Sequence, residues 1–384
     1  MEWLTAEEAL SVLQTKPQTL YANVSRGRIR AKPSPEDPRR SLYRAEDVRR
    51  LAGRRPGRKR ESAIAAETIR WGAPIMRSAI STIIDGRLLY RGCDAVELSE
   101  QATLEGTAAL LWQMETGQMR ALPRTGWELA DTAAKSPLEK LFIVFGRRAA
   151  NDLPTSGRSP AVLQREAFGL LQLFYDTVLG DDAPDIPLHQ RIALKWRCPD
   201  ASDIIRRILV LLADHELNAS AFATRVAAST GAPLSAAVLA GLAALIGPRH
   251  GRASLSTAAL IAAAREKDAV AAIRERLLEG SPLHSFGHPM YREMGDARAT
   301  ALLARIELPP HYRALETAAA DVLGEKPNID FALAAIAEIH DLPADAPLFF
   351  FALGRIVGWL AHALEQVENG SLIRPRAEFI PQPG

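Results

Sequence analysis

The 384-residue sequence predicts a mainly α-helical protein: a small basic module over residues 1–53, a basic linker over 54–62, and a helical body over 63–384. Three observations predict it. Residues 1–60 carry 15 Lys and Arg against 7 Asp and Glu, a net charge of +8, whereas the remainder carries 32 against 38, a net of −6. From about Ala63 onward, alanine- and leucine-rich segments recur with a 3.6-residue period, as in 204–214, 220–228 and 234–246. Glycine and proline breaks such as Gly231-Ala-Pro233 and Gly247-Pro248 separate them, and no strand–helix–strand rhythm interrupts.

In the basic module, Thr5 and Glu8 have the spacing of a capping box, which predicts a helix carrying Leu10 and Leu13 on one face. After Lys16-Pro17 a second short helix, 18–25, presents Leu20 and Val24, and Gly27 suits the left-handed cap that ends it. The proline-broken stretch 33–40 reads as a loop tip, and a third helix starts at Ala45. This order resembles a winged helix-turn-helix of the mercury-resistance-regulator and excisionase type. The resemblance implies DNA as a partner for residues 1–60, with the 18–25 helix in a major groove and arginines on phosphates. A basic module that docks on protein fits the same charge. The run Arg54-Arg55-Pro56-Gly57-Arg58-Lys59-Arg60 adds phosphate contacts or serves as a plain linker.

In the body, alternation over 79–90 around Asp85-Gly86 predicts a short hairpin. The apolar stretch 348–364 is short for a membrane span and has Arg355 at its centre, so it reads as a buried helix whose arginine needs an anionic partner. Neither it nor the acidic first residues, with three glutamates before Ala9, read as a membrane or export signal, and the expected location is cytoplasmic. Cys93 and Cys198 stand far apart in no metal-ligand spacing and are expected reduced, partly buried and inert. No GxxxxGK[ST] or GxGxxG loop is present, and His215-Glu216 lacks the second histidine of a zinc-protease helix.

What remains is a set of polar residues on apolar, small-residue backgrounds: His215, His250, His288, Arg298, Asp330, Arg355 and Arg374. Taken singly, each has an ordinary structural explanation, such as a cap, an ion pair or a satisfied histidine. His250 is flanked by glycine in Gly247-Pro-Arg-His-Gly251, which suits close approach of backbone to a ligand. Together, in order and spacing, these residues resemble the citrate synthase family, including its methylcitrate relatives. The stretches that carry the likeness are Ser78–Gly92, Asp214-His-Glu-Leu-Asn-Ala-Ser-Ala-Phe222, Pro327-Asn-Ile-Asp-Phe331 and Gly358-Trp-Leu-Ala-His-Ala-Leu-Glu-Gln366.

The resemblance implies a large helical domain and a smaller one, about 234–343, that closes over the substrate. It implies condensation of oxaloacetate with acetyl- or propionyl-coenzyme A, the thioester being a substrate and no cofactor being tightly bound. Asp330 would be the base, with His250 and His288 as hydrogen-bond donors and acids. His215, Arg298, Arg355 and Arg374 would hold oxaloacetate, Arg374 reaching across a homodimer, and Arg292 would meet a coenzyme A phosphate. Two departures stand out. The family's Gly-Pro-Leu-His-Gly-Gly-Ala-Asn appears as Gly247-Pro-Arg-His-Gly-Arg-Ala-Ser254, so Arg249 and Arg252 either crowd the acyl site or grip an anionic group. The family's Asp-Pro-Arg appears as Asp296-Ala-Arg298, about one residue late, which puts the bidentate register of Arg298 at issue. Two other outcomes fit the same residues: a relative specific for another acyl-CoA, and an oxaloacetate or citrate sensor that gates DNA binding by the basic module.

Overall fold

The computed structural model describes residues 3–13, 15, 17–25, 27–34, 37, 40–53, 76–115, 134–180, 186–291, 294–377 and 379. The linker expected at 54–62 and the side chain of Arg292 lie outside them. The chain divides into two compact units, Met1–Arg77 with Pro375–Gly384, and Ser78–Arg374.

The first unit contains β1 (Trp3–Leu4), α1 (Ala6–Leu13), α2 (Pro17–Ser25), β2 (Ala31–Pro33), β3 (Ser41–Arg44) and α3 (Ala45–Gly53). The strands form an antiparallel sheet in the order β1-β3-β2. The capping box forms as expected: Thr5 N–H donates to Glu8 Oε2 at 2.8 Å, and Glu8 N–H donates to Thr5 Oγ1 at 3.3 Å. Gly27 takes φ +67°, the left-handed turn after α2. Leu4, Ala9, Leu13, Leu20, Ile29, Tyr43 and Val48 bury against one another as its core.

The second unit opens with the hairpin of β4 (Ser81–Ile84) and β5 (Arg87–Tyr90), extended at its edge by β6 (Cys93–Asp94). Asp85 and Gly86 both have positive φ, 50° and 74°, the conformation that a two-residue turn demands of the right-handed strand twist. Cys93 sits on the edge strand and is exposed, not partly buried as expected; Cys198 is buried, and both are free thiols.

Helices then follow almost without interruption: α4 (Ala95–Ser99), α5 (Leu104–Trp112), α6 (Pro137–Asn151), α7 (Pro160–Leu179), α8 (Leu188–Lys195), α9 (Ser202–Leu212), α10 (Ala219–Ser229), α11 (Leu234–Leu245), α12 (Ala253–Glu266), α13 (Ala269–Leu278), α14 (Ala297–Leu303), α15 (Pro310–Leu323), α16 (Ile329–Ile339) and α17 (Ala346–Asn369). Helix α17 is the axis of the larger core. It packs on α5, α7, α9, α10, α11 and α16, and its apolar length is buried inside protein, as the central Arg355 demanded.

Two glycines let the chain end of α9 press onto α17. A Cβ at Gly354 would fall 2.9 Å from Leu212 Cβ, and one at Gly358 would fall 2.4 Å from the Ala213 carbonyl oxygen. No side chain fits there, so residues 212–214 cross α17 at backbone distance and Gly358 N–H donates to Ala213 O at 2.9 Å.

A second, smaller core joins α12, α13, α15 and one side of α16, with Leu260, Ile273, Phe286, Tyr312, Leu315 and Phe331 buried in it. Helix α11, which opens the smaller subdomain in the sequence reading, places Leu234, Val238, Leu242 and Leu245 in the larger cluster. The smaller core therefore begins with α12. Helix α16 contributes Ile329, Leu333 and Ile336 to the larger cluster and Phe331 and Ala335 to the smaller. It is the element on which the two cores meet.

Candidate active site

The residues singled out by sequence come from the ends of helices that converge where the two cores meet. His215 follows the end of α9, in the tight turn 213–218 before α10, and is buried. Asn218 caps α10, its Oδ1 accepting from the backbone of Ser220 and Ala221 at 3.1 Å each. Ser220, the second residue of α10, stands 2.8 Å through Oγ from His250 Nε2. His250 lies in the turn between α11 and α12. Gly251 serves that turn: its N–H donates to Leu245 O at 2.9 Å, and a Cβ would sit 2.8 Å from the same oxygen. The glycine is required by the chain's own reversal.

Two further segments are laced together. Asn328 caps α16 by accepting from Asp330 N–H at 3.0 Å, while its Nδ2 donates to the carbonyls of His284 and Gly287 at 2.6 and 3.0 Å. Asp296 caps α14, pairs with Arg298, and accepts from Ile329 N–H at 3.1 Å. The Pro327-Asn-Ile-Asp-Phe331 stretch thus owes its residue types to this lacing, which brings His288, Arg298 and Asp330 into one neighbourhood. Asp330 follows as the second residue of α16.

At the centre, the ring of His215 meets that of His288 edge-on with centroids 5.1 Å apart. His215 Nε2 is 3.0 Å from the hydroxyl of Tyr291, and Arg298 lies over the Tyr291 ring at 5.7 Å. Met290 N–H donates to His288 Nδ1 at 3.2 Å, so the ring proton of neutral His288 is on Nε2. Arg298 is fully buried and held by Asp296 through two parallel bonds of 2.9 and 2.8 Å. Its Nε/Nη2 side is therefore taken by Asp296, and the remaining N–H groups, on Nη1 and Nη2, are those open to a ligand.

Arg355 is different. It is buried, donates from Nε to Leu212 O at 2.9 Å, and makes no ion pair among the described residues. A buried guanidinium without a carboxylate is costly, and it is the arrangement expected where an anion is to be bound.

Burial sets the proton affinities. Asp330 is pushed up to about 7 by desolvation, with Arg298 pulling back and Asp296 adding to the rise. Its Oδ1 is buried without a hydrogen-bond partner among the described residues. Burial lowers His250 and His288 to about 4, the charges of Arg355 and Arg298 respectively adding to the effect. His215 is lowered well below its ordinary value by burial, then by Arg298, Arg355 and the other two histidines. At neutral pH all three histidines are uncharged hydrogen-bonding groups, and Asp330 is a carboxyl balanced between acid and base.

Six of the seven residues thus share one environment. Arg374 does not: it lies in the exposed segment after α17 and touches none of the other six among the described residues. Arg249 and Arg252 are both exposed and carry no ion pair among the described residues, so neither is packed against the interior. Ser220, Tyr291, Asp296 and Asn328 are members of the site that the sequence reading left without roles. The one signal for them was position: Tyr291, Asp296 and Asn328 lie within three residues of a residue already singled out, and Ser220 lies five after His215.

A helical fold with buried guanidinium groups, uncharged histidine donors and a carboxyl tuned to neutrality defines a condensing enzyme that works on an anion and a weak carbon acid. The profile of the citrate synthase C-terminal domain matches residues 181–376, and citrate synthase 2 of Bacillus subtilis (strain 168) is 31% identical over 352 residues, covering 80% of this chain and 94% of that protein. The chain belongs to the citrate synthase family, and it is one of that family's condensing acyltransferases. Among solved structures, the citrate synthase of Thermotoga maritima MSB8 is similar with a TM-score of 0.64 and 25% identity, covering 82% of this chain and 95% of that one. The citrate synthase of Thermoplasma acidophilum, in a ternary complex with carboxymethyl coenzyme A and oxaloacetate, shares the fold with a TM-score of 0.65 at 22% identity, over 82% and 95% of the two chains.

Proposed function

We propose that this enzyme condenses oxaloacetate with acetyl- or propionyl-coenzyme A and hydrolyses the resulting thioester to citrate or methylcitrate and coenzyme A. The observation that carries the reading is Arg355, buried without a carboxylate partner beside two uncharged histidines and a carboxyl near pKa 7. Oxaloacetate is the dianion that such a site accommodates.

The α-hydrogens of a thioester are weak acids, so removal of one needs a base and simultaneous stabilisation of the enolate oxygen. Asp330 takes the proton. A pKa near 7 makes it a stronger base than an ordinary carboxylate while leaving it ionised in part at neutral pH. His250 donates to the thioester oxygen. Ser220 Oγ lies 2.7 Å from Asn218 Oδ1, which also accepts two backbone N–H groups, and 2.8 Å from His250 Nε2; with its single proton turned to Nε2, Nδ1–H of His250 is the donor. His288 donates from Nε2 to the keto oxygen and surrenders that proton to the alkoxide as the carbon–carbon bond forms. Water then cleaves the carbon–sulfur bond.

His215, Arg298 and Arg355 hold the carboxylates. Arg374 completes the site from the partner subunit of a homodimer, a reading supported by its exposure away from its own chain's cluster. A phosphate of coenzyme A is assigned to Arg292.

Coenzyme A release tests this. With oxaloacetate present, acetyl- or propionyl-coenzyme A is expected to turn over. Absence of turnover with a panel of acyl-CoA thioesters, while citrate still binds, would move the chain to the sensor reading.

A second reading concerns residues 1–53. Helix α2 exposes Gln18, Tyr21 and Ser25 on one side, and Arg28, Arg30 and Lys32 are exposed just after it. A polar helix face beside unburied cations suits a DNA groove and its phosphates, as in a winged helix-turn-helix. Duplex DNA binding that weakens steeply with added salt is the expected result. No binding at low salt would make this module a protein-docking one.

A further inference from the structure

The stretch Gly358 to Gln366, among the most distinctive in the sequence, has no part in the chemistry described above. On α17, Arg355, Gly358 and His362 recur at intervals of three and four residues and so share one face. Asp214 lies over that face at the gap left by Gly358, where a Cβ would fall 2.3 Å from its Oδ1. The carboxylate is completely buried. Its Oδ2 accepts from Ser81 Oγ at 2.5 Å and from His362 Nε2 at 3.2 Å, whereas its Oδ1 has no hydrogen-bond partner among the described residues.

The direction of each bond in this cluster follows from the groups themselves. His362 Nδ1 faces Arg225 Nη1 at 3.0 Å, and a guanidinium can only donate, so Nδ1 accepts and the ring proton is on Nε2, aimed at Asp214. Arg225 is fixed in turn by Glu365 at 2.5 Å and by Gln366 Oε1 at 3.0 Å. Ser81 Oγ donates to Asp214 and accepts from Glu216 N–H at 2.9 Å. A buried polar chain therefore runs from Glu365 through Arg225 and His362 to Asp214 and the hairpin, and Asp214 Oδ1 is left in it as an acceptor without a donor among the described residues.

Arg355 is one turn from Gly358 on the same face, and Asp214 and Arg355 each perturb the other's proton affinity. Burial lowers Arg355 and the Asp214 charge acts against that. Burial raises Asp214, and His362, Arg355 and Ser81 together outweigh it. Opposite charges in one buried region attract strongly, and an unrestrained carboxylate would pair with the guanidinium directly. We infer that His362 and Ser81 hold Asp214 away from Arg355, so that Asp214 supplies the countercharge for a buried guanidinium whose N–H groups stay open to a substrate carboxylate. His362, Ser81 and Arg225 are then positioning residues, and a direct Asp214–Arg355 pair is the competing, substrate-excluding state.

The inference rests on the reading that Arg355 binds oxaloacetate. Oxaloacetate is titrated calorimetrically into the full-length wild type, His362→Leu, and the double variant His362→Leu/Asp214→Asn, with a thermal melt of each. His362→Leu is expected to weaken binding about tenfold or more, because the freed carboxylate competes for Arg355. Adding Asp214→Asn is expected to recover most of that loss, since the competitor is no longer charged. His362→Gln, which keeps a donor toward Asp214, is expected to bind within about threefold of wild type. Should His362→Leu fail to fold, Ser81→Ala with and without Asp214→Asn gives the same comparison, with a smaller loss and the same recovery.

A purely structural role for the cluster gives the opposite sign: the double variant binds no better than the single, and that result overturns the inference. Unchanged affinity in both His362→Leu and Ser81→Ala overturns it as well. A wild type that binds no oxaloacetate overturns instead the reading beneath it.

Discussion

Asp330 ties chemistry to stability through one carboxyl. Its pKa is lifted to about 7 by burial, against about 4 in an unfolded chain, so the folded state binds the proton more tightly. The sign follows. Between about pH 4 and 7 the folded protein holds a proton that the unfolded one has lost, and stability falls as pH rises through that window. Asp330→Asn, which cannot ionise, is therefore expected to melt above the wild type at pH 8, the difference vanishing as pH is lowered toward 4; a difference independent of pH would contradict the burial of the charge. The same pKa predicts that kcat/KM falls about tenfold per pH unit below about 7 and stays level just above it, since His250 and His288 have already lost their protons near 4. Ser220→Ala removes the hydroxyl that faces His250 Nε2, and is expected to lower kcat about tenfold with little change in oxaloacetate affinity, as steady-state kinetics would show. At this scale six of the seven polar residues were legible because each is out of place on an apolar background; Arg374, in an exposed segment, does not share their environment. Ser220, Tyr291 and Asn328 were not, because their meaning lies in partners 30 to 76 residues away. Arg298 was legible as a site residue but not in its bond pattern, which Asp296 fixes.

Among the elements, α17 shows how local sequence and packing combine. Its length and apolarity suit a membrane, its arginine forbids one, and the surrounding helices resolve the conflict by burying it in protein. The close crossing by residues 212–214 depends on Gly358. Gly358→Ala would place a methyl 2.3 Å from Asp214 Oδ1 and 2.4 Å from Ala213 O, so backbone must move. A loss of about 1–3 kcal/mol in chemical denaturation is expected, together with weaker oxaloacetate binding because Asp214 and Arg355 are displaced. A variant as stable as wild type would mean that the crossing is looser than described. Helix periodicity, the capping box at Thr5 and Glu8 and the turn at Asp85-Gly86 could all be read from sequence, because each is set by residues within four positions of one another. The assignment of α11 to the larger core could not, because an alanine-rich helix offers no marker of which neighbour will cover it.

For the whole molecule, the charge asymmetry between residues 1–60 and the remainder suggests two modules, and the compact units of the structure are Met1–Arg77 with Pro375–Gly384 and Ser78–Arg374. Which two cores meet at α16 could not be read from hydropathy, since apolar residues line both. The homodimer reading of Arg374 has a direct consequence. In a mixed dimer of Arg374→Ala and Asp330→Ala subunits, one of the two sites receives an intact Asp330 and an intact partner arginine. Refolding equal amounts of the two inactive variants together is expected to restore about a quarter of wild-type activity, half the dimers being mixed with half their sites intact. No recovery would place Arg374 within its own subunit's site or outside any site.

The most direct measurement is coenzyme A release by Asp330→Ala with oxaloacetate and the preferred thioester, alongside calorimetric binding of oxaloacetate. The expected result is a kcat lower by about 10²–10⁴ with oxaloacetate still bound, as for loss of a positioned base. A rate close to wild type would contradict the assignment of proton abstraction to Asp330, and with it the chemistry built on this site.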